Sequence, residues 1–362
     1  MPSLRAEHLS LLVGLGSAFL FCLLIIRSKG LLGHLTLDSD AGIQRVHTRP
    51  TPRIGGLAVI LGLISSWAIS PPEITEMLAV LILGSLPAFA AGFAEDVSKR
   101  ISPTARVIAC LASGALLTQL SGVQISRLDL PLGLDYVWSL AFAGFLFTSF
   151  AVGGLANSIN MVDGHHGLAS GLVLLGLVAI GLIAFNQGDG SLAKLSIVLS
   201  GAILGFMLLN FPFGKIFLGD GGAYLLGTSL GWCAVLLVHR NPQVSPWVAL
   251  LVCAFPVVEV AFTVFRRLRR NHHPAHPDRL HLHSLVKTRV TRKHLQSLPR
   301  DLQNAAVSPA IWLIASIPCG AALAFPTSTP ACALAFALSF LIYLAIYGHL
   351  LRFASSSGGG EK

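Results

Sequence analysis

The chain has 362 residues, of which 54% are hydrophobic and only 11% charged, and its mean hydropathy is +0.73. A soluble domain carries about 25% charged residues, so these values exclude a soluble globular, disordered, collagen-like or disulfide-scaffold protein and leave a chain solvated largely by lipid. The charges are lopsided, 25 Lys+Arg against 16 Asp+Glu for a formal +9, and their positions are informative.

A helix that crosses a bilayer needs about 20 mostly apolar residues. Such runs lie, in chain order, near 9–27, 54–70, 76–93, 105–120, 132–152, 166–185, 191–210, 222–238, 245–265, 308–325 and 330–351. The first lacks a small-residue cleavage site and is read as a retained helix, not a removable signal. The expected fold class is an all-α integral membrane protein of about 11 transmembrane helices. It forms one polytopic domain over residues 1–353, followed by a flexible Ser- and Gly-rich tail at 354–362. Cys22, Cys110, Cys233, Cys253, Cys319 and Cys332 all fall inside apolar runs and read as small core side chains.

One set of connections covers about 28–53, 94–104, 153–165, 211–221 and 266–307. That side, with Arg27 and Arg106 at the loop edges and the C-terminal tail, carries 21 Lys and Arg. The opposite side carries four: Arg5, Arg127, Lys194 and Arg240. Cytoplasmic loops hold the excess of positive charge, which puts the first set inside and the N-terminus outside. Ten of the 13 histidines follow the inner side, as do Glu95, Asp96, Asp163, Asp220 and Asp278. An active site is therefore expected on the cytoplasmic face.

Five segments there carry chemistry. Ala91-Gly92-Phe93-Ala94-Glu95-Asp96 ends an apolar run on adjacent carboxylates. Desolvation and mutual repulsion both oppose ionisation of such a pair, and a bound Mg²⁺ or a proton transfer would offset that cost. The plainer reading is a solvated helix end paired with Lys99 and Arg100. Asn157-Ser158-Ile159-Asn160-Met161-Val162-Asp163-Gly164-His165-His166-Gly167 packs more donors and acceptors between two apolar runs than a turn needs.

Asn210-Phe211-Pro212-Phe213-Gly214-Lys215-Ile216-Phe217-Leu218-Gly219-Asp220-Gly221-Gly222 places a lysine and then an acid among glycines at a helix start. Such a start suits a diphosphate and its metal. Phe217 could stack on a base or simply face lipid. Asn271 to His283 is rich in histidine but has no cysteine or carboxylate triad to complete a zinc site. It suits donation to a phosphorylated ligand. Arg45 to Gly56 reads as a basic loop leading into a helix, and Arg266 to Arg270 as a contact for anionic headgroups.

Taken together and in this order, the five segments resemble the polyprenyl-phosphate N-acetylhexosamine-1-phosphate transferase family over residues 45 to 285. Pro277-Asp278-Arg279-Leu280-His281-Leu282-His283 resembles the His-x-His form of its antigen-initiating branch. The peptidoglycan branch typically has three consecutive histidines there, which disfavours a phospho-N-acetylmuramoyl-pentapeptide transferase (lipid I synthase).

The resemblance implies transfer of a sugar-1-phosphate from a UDP-N-acetylhexosamine to undecaprenyl phosphate, with release of UMP. Mg²⁺ would be the cofactor, with Mn²⁺ as the alternative ion. It further implies a multi-pass protein of the bacterial inner membrane, with its N-terminus in the periplasm and the start of a surface polysaccharide as its product. Membrane lipid is a partner, nucleic acid is not, and a homodimer is left open.

Carried over by matching motif, Glu95 and Asp96 are the catalytic carboxylates, and Asp220 with Asp163 the metal ligands. Asn160, His166, Asn210, Lys215, Phe217, His281 and His283 contact substrate, with Arg49, Arg106 and Arg279 as further cationic contacts. Three positions depart from the pattern: Glu95 where Asp is common, His166 where an acid or Asn is usual, and Ser284 where a further His is frequent. A transporter of an anionic solute would instead need ionisable residues at mid-membrane, where Glu259 is almost the only candidate. A CDP-alcohol phosphotransferase would need a spaced-aspartate signature that the sequence lacks.

Overall fold

The computed structural model describes residues 2–28, 51–130, 134–269 and 280–356, with side chains over 8–28, 51–130, 134–269 and 280–352. Arg49 and Arg279 lie outside the described residues, as does most of the 28–53 loop. Every described element is helical, as expected where lipid offers no partner to an open backbone. In chain order the main helices are α1 (Pro2–Arg27), α2 (Gly55–Trp67), α3 (Pro72–Ser98), α4 (Pro103–Ser121), α5 (Ala141–Val162) and α6 (Leu168–Asn186). There follow α7 (Gly190–Asn210), α8 (Gly219–Arg240), α9 (Pro246–Val252), α10 (Ala254–Leu268), α11 (Val307–Ala324) and α12 (Thr329–Ser356).

Among the described residues nine helices are long and apolar enough to cross a membrane. They correspond to nine of the eleven expected runs; α2 and the α9–α10 pair account for the other two. At 13 residues α2 spans about 20 Å, short of a bilayer core of about 30 Å. The run near 245–265 is two helices bent by 79°. Pro256 explains the break, because its ring clashes with the carbonyl four residues back, at Val252. It is tolerated in the first turn of the new helix.

Two boundaries move. The helix expected at 132–152 begins at Ala141 and continues to Val162, after an irregular stretch with left-handed Asp129 (φ 52°) and the short helix Asp135–Ser139. The expected loop at 153–165 is therefore mostly helix, and Asn160 sits in its last turn. Likewise α3 runs on to Ser98, so Glu95 and Asp96 are helical, and the chain turns at left-handed Lys99. The 266–307 segment, where described, is folded into short helices and one π-helical turn at Val286–Thr291.

The centre of the bundle is α8, buried along nearly its whole length and packed against α2, α3, α5 and α6. Association between membrane helices relies on close backbone approach, and small residues provide it here. A Cβ on Gly227 would stand 2.5 Å from Cα of Ala156 on α5, and one on Gly92 of α3 would stand 2.5 Å from the Gly221 nitrogen. These contacts lock the first half of α8 to α3 and α5. At the far end, Arg240 makes a bidentate pair with Asp189 at 2.7 and 2.8 Å, and Asp189 also caps α7 through the Leu192 N–H. The central helix is thus fixed at both ends.

Candidate active site

The ends of α3, α5 and α7 and the starts of α4, α6 and α8 meet at one end of the bundle. The focus is the N-terminus of α8, where four backbone N–H groups have no helical partner. Asp96, on α3 and 2% exposed, meets two of them: its Oδ1 accepts the Asp220 N–H at 2.9 Å and its Oδ2 the Gly221 N–H at 3.0 Å. A carboxylate from one helix thereby caps another, and the helix dipole favours its negative charge there. Each oxygen keeps a second lone pair for another donor. Glu95 turns the other way, its Oε2 accepting the Ile101 N–H at 2.8 Å across the α3–α4 turn.

The side chain of Asp220 leaves the helix start toward two arginines. Arg106 of α4 holds Oδ2 through Nη1, and Arg53 reaches to 3.9 Å of Oδ1. Arg53 is placed by backbone pairing. Phe217 N–H donates to Pro52 C=O at 2.8 Å, and the Gly55 and Gly56 N–H groups donate to Phe217 and Leu218 C=O at 2.9 and 2.8 Å. The basic loop is thereby stitched to the segment that presents Asp220. Between them lies Gly219, whose φ of +77° is left-handed and whose missing Cβ leaves room for the Arg53 carbonyl and the Asp96 carboxylate. Gly219→Ala should cost about 1–2 kcal/mol in backbone strain and push both groups away. The expected outcome is a protein that melts several degrees lower and turns over at a small fraction of the wild-type rate.

Asp163 follows the last turn of α5. Ala156, Asn160 and Asp163 share the helix face that packs on α8. Asp163 keeps part of its surface open yet lies deep among protein atoms. Burial pushes its carboxyl up to about 7; Arg53 opposes the rise, and the like charges of Asp220 and Asp96 add to it. Three carboxylates crowded around two arginines leave negative charge that a further cation would neutralise.

The 210–217 loop is held from within. Asn210 is buried; its Nδ2 donates to Ile216 C=O at 2.8 Å and its Oδ1 accepts the Gly167 N–H at 2.6 Å. His166, 2% exposed, pairs through Nδ1 with Pro212 C=O at 2.9 Å and stacks on Phe217 at 5.8 Å. Burial holds its imidazolium below the usual range, against that hydrogen bond. Both residues, expected to contact substrate, hold this loop, and His166 backs Phe217. Lys215 is exposed.

A second cluster stands beside the first. His281 and His283 stack at 5.2 Å with planes 5° apart, and His165 meets His283 edge-on at 5.3 Å. Asp163-Gly164-His165 joins the clusters, since a Cβ on Gly164 would lie 3.2 Å from His283 Nε2. The structure thus gathers Glu95, Asp96, Arg106, Asn160, Asp163, Asp220, His281 and His283 at one end. Sequence reasoning passed over Arg53, His165 and Glu259 as site residues. Glu259 had a signal: an acid inside an apolar helix is functional by default. Arg53 could not be singled out from its neighbouring arginines, because only the backbone pairing places it.

No three His, Cys, Asp or Glu side chains among the described residues converge as a complete metal cage. Mg²⁺ needs only one or two carboxylates and completes its shell with water and substrate phosphate. The crowded oxygen donors of Asp220 and Asp163 are of the hard type it prefers.

The sequence model of Glycosyl transferase family 4 matches residues 78–238, which run from α3 to the end of α8. The chain is 27% identical over 242 residues to the probable undecaprenyl-phosphate N-acetylglucosaminyl 1-phosphate transferase of Bacillus subtilis, covering 66% of each. It is 28% identical over 283 residues to the undecaprenyl-phosphate alpha-N-acetylglucosaminyl 1-phosphate transferase of Salmonella typhi, covering 75% of this chain and 74% of the relative. The protein of the same name from Yersinia pestis is 28% identical over 252 residues, 67% of each. The matched region contains the carboxylate cluster on the ends of α3, α5 and α8, and over it this all-helical membrane chain is similar to glycosyl transferase family 4.

Proposed function

We propose that the protein transfers N-acetylhexosamine-1-phosphate from a UDP-sugar to undecaprenyl phosphate at the cytoplasmic face of a bacterial inner membrane. N-acetylglucosamine, carried in its relatives' names, is the first sugar to test. The observation that carries the reading is the grouping of Asp220, Asp96 and Asp163 with Arg53 and Arg106 at the start of α8, beside the stacked His281 and His283. Joining two phosphates is chiefly a matter of neutralising charge and aligning the reacting groups, and this site concentrates the means for both. The 21 to 4 split of Lys and Arg supports the cytoplasmic side, which is where a nucleotide sugar is available.

In the mechanism we favour, an oxygen of the lipid phosphate attacks the sugar-bearing phosphorus in line. A new P–O bond forms, the bond from that phosphorus to the bridging oxygen breaks, and UMP leaves. Arg53 and Arg106 would hold the phosphates against the carboxylates, and His281 and His283 would donate to the diphosphate. Phe217, with His166 behind it, offers a face for the uracil. Lys215 is available to the donor phosphates, with Arg49 and Arg279 assigned by motif alone. Glu95 and Asp96 are the carboxylates assigned to position or deprotonate the lipid phosphate. Mg²⁺, held by Asp220 with Asp163, would supply electrostatic stabilisation of the charge that develops on the phosphate oxygens. Direct attack requires lipid for every turnover, so exchange of labelled UMP into UDP-sugar without lipid acceptor would instead indicate a covalent intermediate.

Purified protein given undecaprenyl phosphate, Mg²⁺ and a panel of UDP-hexosamines should yield a diphosphate-linked lipid. Its mass should exceed that of the acceptor by one N-acetylhexosamine-1-phosphate. Absence of such a product from every donor in the panel would overturn the proposal.

A further inference from the structure

One buried group near the site has no part in the scheme above. Glu259 sits on α10 with 0% of its surface exposed. An isolated buried carboxylate at membrane depth is costly, and here it is fully engaged. His281 Nδ1 lies 3.0 Å from its Oε1, and the Leu282 N–H donates to Oε1 at 3.1 Å and to Oε2 at 3.3 Å. Thr263, four residues on and so on the same helix face, brings its Oγ1 to 3.4 Å from the same ring nitrogen.

An ionised Glu259 can only accept, which assigns the hydrogen of the 3.0 Å contact to Nδ1 of His281. The ring is then turned so that Nε2 is the nitrogen left for a ligand, the usual consequence of a carboxylate behind a histidine. The Leu282 bond fixes the backbone at the same point, where His281 begins the short helix Leu282–Leu285. Orientation passes onward, because the His281 ring stacks on His283 and His283 meets His165. The Pro256 break matters for this geometry: the 79° bend gives α10 its own direction and carries Glu259 to the histidine segment.

We propose that Glu259 is a positioning residue for the transfer reaction, which fixes the tautomer and orientation of His281 so that Nε2 faces the diphosphate of the donor. The inference rests on the role given to His281 above, and the test separates the two. The full-length protein, reconstituted in lipid nanodiscs with ¹⁵N-labelled histidine, should show hydrogen on Nδ1 of His281, assigned by difference from His281→Asn. A bare Nδ1 with hydrogen on Nε2 would overturn the proposal.

Glu259→Gln keeps the shape but lets an amide donate or accept, so the ring should become a mixture of tautomers at an unchanged melting temperature. Its affinity for UDP-N-acetylglucosamine and its kcat/KM should fall about tenfold to a hundredfold, the size seen when metal-ligating histidines lose such a partner. Glu259→Asp should recover part of the loss. The double variant Glu259→Gln/His281→Asn should be no worse than His281→Asn alone, and additive losses would count against the coupling. If His281→Asn is impaired while Glu259→Gln is not, the inference falls and the role of His281 stands. If His281→Asn binds donor and turns over as the wild type does, that role falls and takes the inference with it. Should Glu259→Gln fail to fold, the wild-type tautomer and the Glu259→Asp variant still decide the matter.

Discussion

Asp220→Asn should abolish sugar-1-phosphate transfer while leaving the protein folded in the membrane. The fold argument is local. Asparagine is nearly the same size, and the Asp220 contribution to the helix cap is its backbone N–H to Asp96, which the substitution keeps. What changes is charge. Asp220 is the acceptor for Arg106 and lies 3.9 Å from Arg53, so its loss removes the anion that the two cations share. Glu95 stays within electrostatic reach of Arg106, and Asp163 and Asp96 within reach of Arg53, which limits the structural cost. The chemistry has no such reserve. If Asp220 is the principal carboxylate for Mg²⁺, an amide oxygen is a much weaker ligand, and the arginines are freed to hold phosphate in unproductive places. Removing one preorganised electrostatic group typically lowers kcat by about 10²–10³. Loss of the metal with it should push transfer below detection, unrestored by excess Mg²⁺. Turnover near the wild-type level in a correctly inserted protein would remove the metal assignment.

The chain made some of this legible from residue order alone and hid the rest for definable reasons. Long apolar runs interrupted by charged, Gly- and Pro-rich segments mark membrane helices because length and hydropathy are local properties, and nine of the runs are such helices in the described structure. The bend at Pro256 and the shortness of α2 depend on where a helix stops, which hydropathy averages away. The shift of α5 from 132–152 to Ala141–Val162 has the same origin: Trp138, Leu140 and Phe142 are apolar whether or not they are helical.

At the site, the structure brings many of the motif residues to one end of the bundle, and packing shows what each of them touches. Asn210 and His166 stand out in the sequence because polar groups between membrane runs usually need a reason. The structure shows each of them holding the Phe211–Phe217 turn, a pairing that the sequence does not display. Glu259 stands out as an acid in an apolar run, but its partner, like that of Arg53, appears only through pairings across 22 and 167 residues of chain, which no local pattern encodes.

Replacing Asp96 should show the opposite balance, with stability and activity failing together. The side chain is buried and serves two backbone N–H groups that have no other partner. In Asp96→Ala both are orphaned beneath protein, at a cost on the order of 2–4 kcal/mol. Asp96→Asn keeps one acceptor oxygen and turns an NH₂ toward the second N–H, so it recovers only part of that loss. In either variant the first turn of α8 loosens, and Asp220 moves with it relative to Arg53 and Arg106. Transfer per folded molecule should therefore fall by more than about a hundredfold.

Glu95→Asp is the contrasting case. Glu95 is more open, and it accepts one N–H, from Ile101. Shortening it gives up that bond for about 1 kcal/mol while keeping a carboxylate at the helix end. Activity should stay within about tenfold of wild type if the position needs only the charge. Melting temperature and single-turnover rates, measured on the three variants side by side, separate the two carboxylates. A stable and active Asp96→Asn would show that the cap is dispensable and that the start of α8 is held by its glycine contacts, Gly222 against Gly56 of α2 and Gly221 against Gly92 of α3. Glu95→Asp failing while remaining stable would assign the proton-handling role to Glu95, whose longer arm would then be part of the reaction geometry.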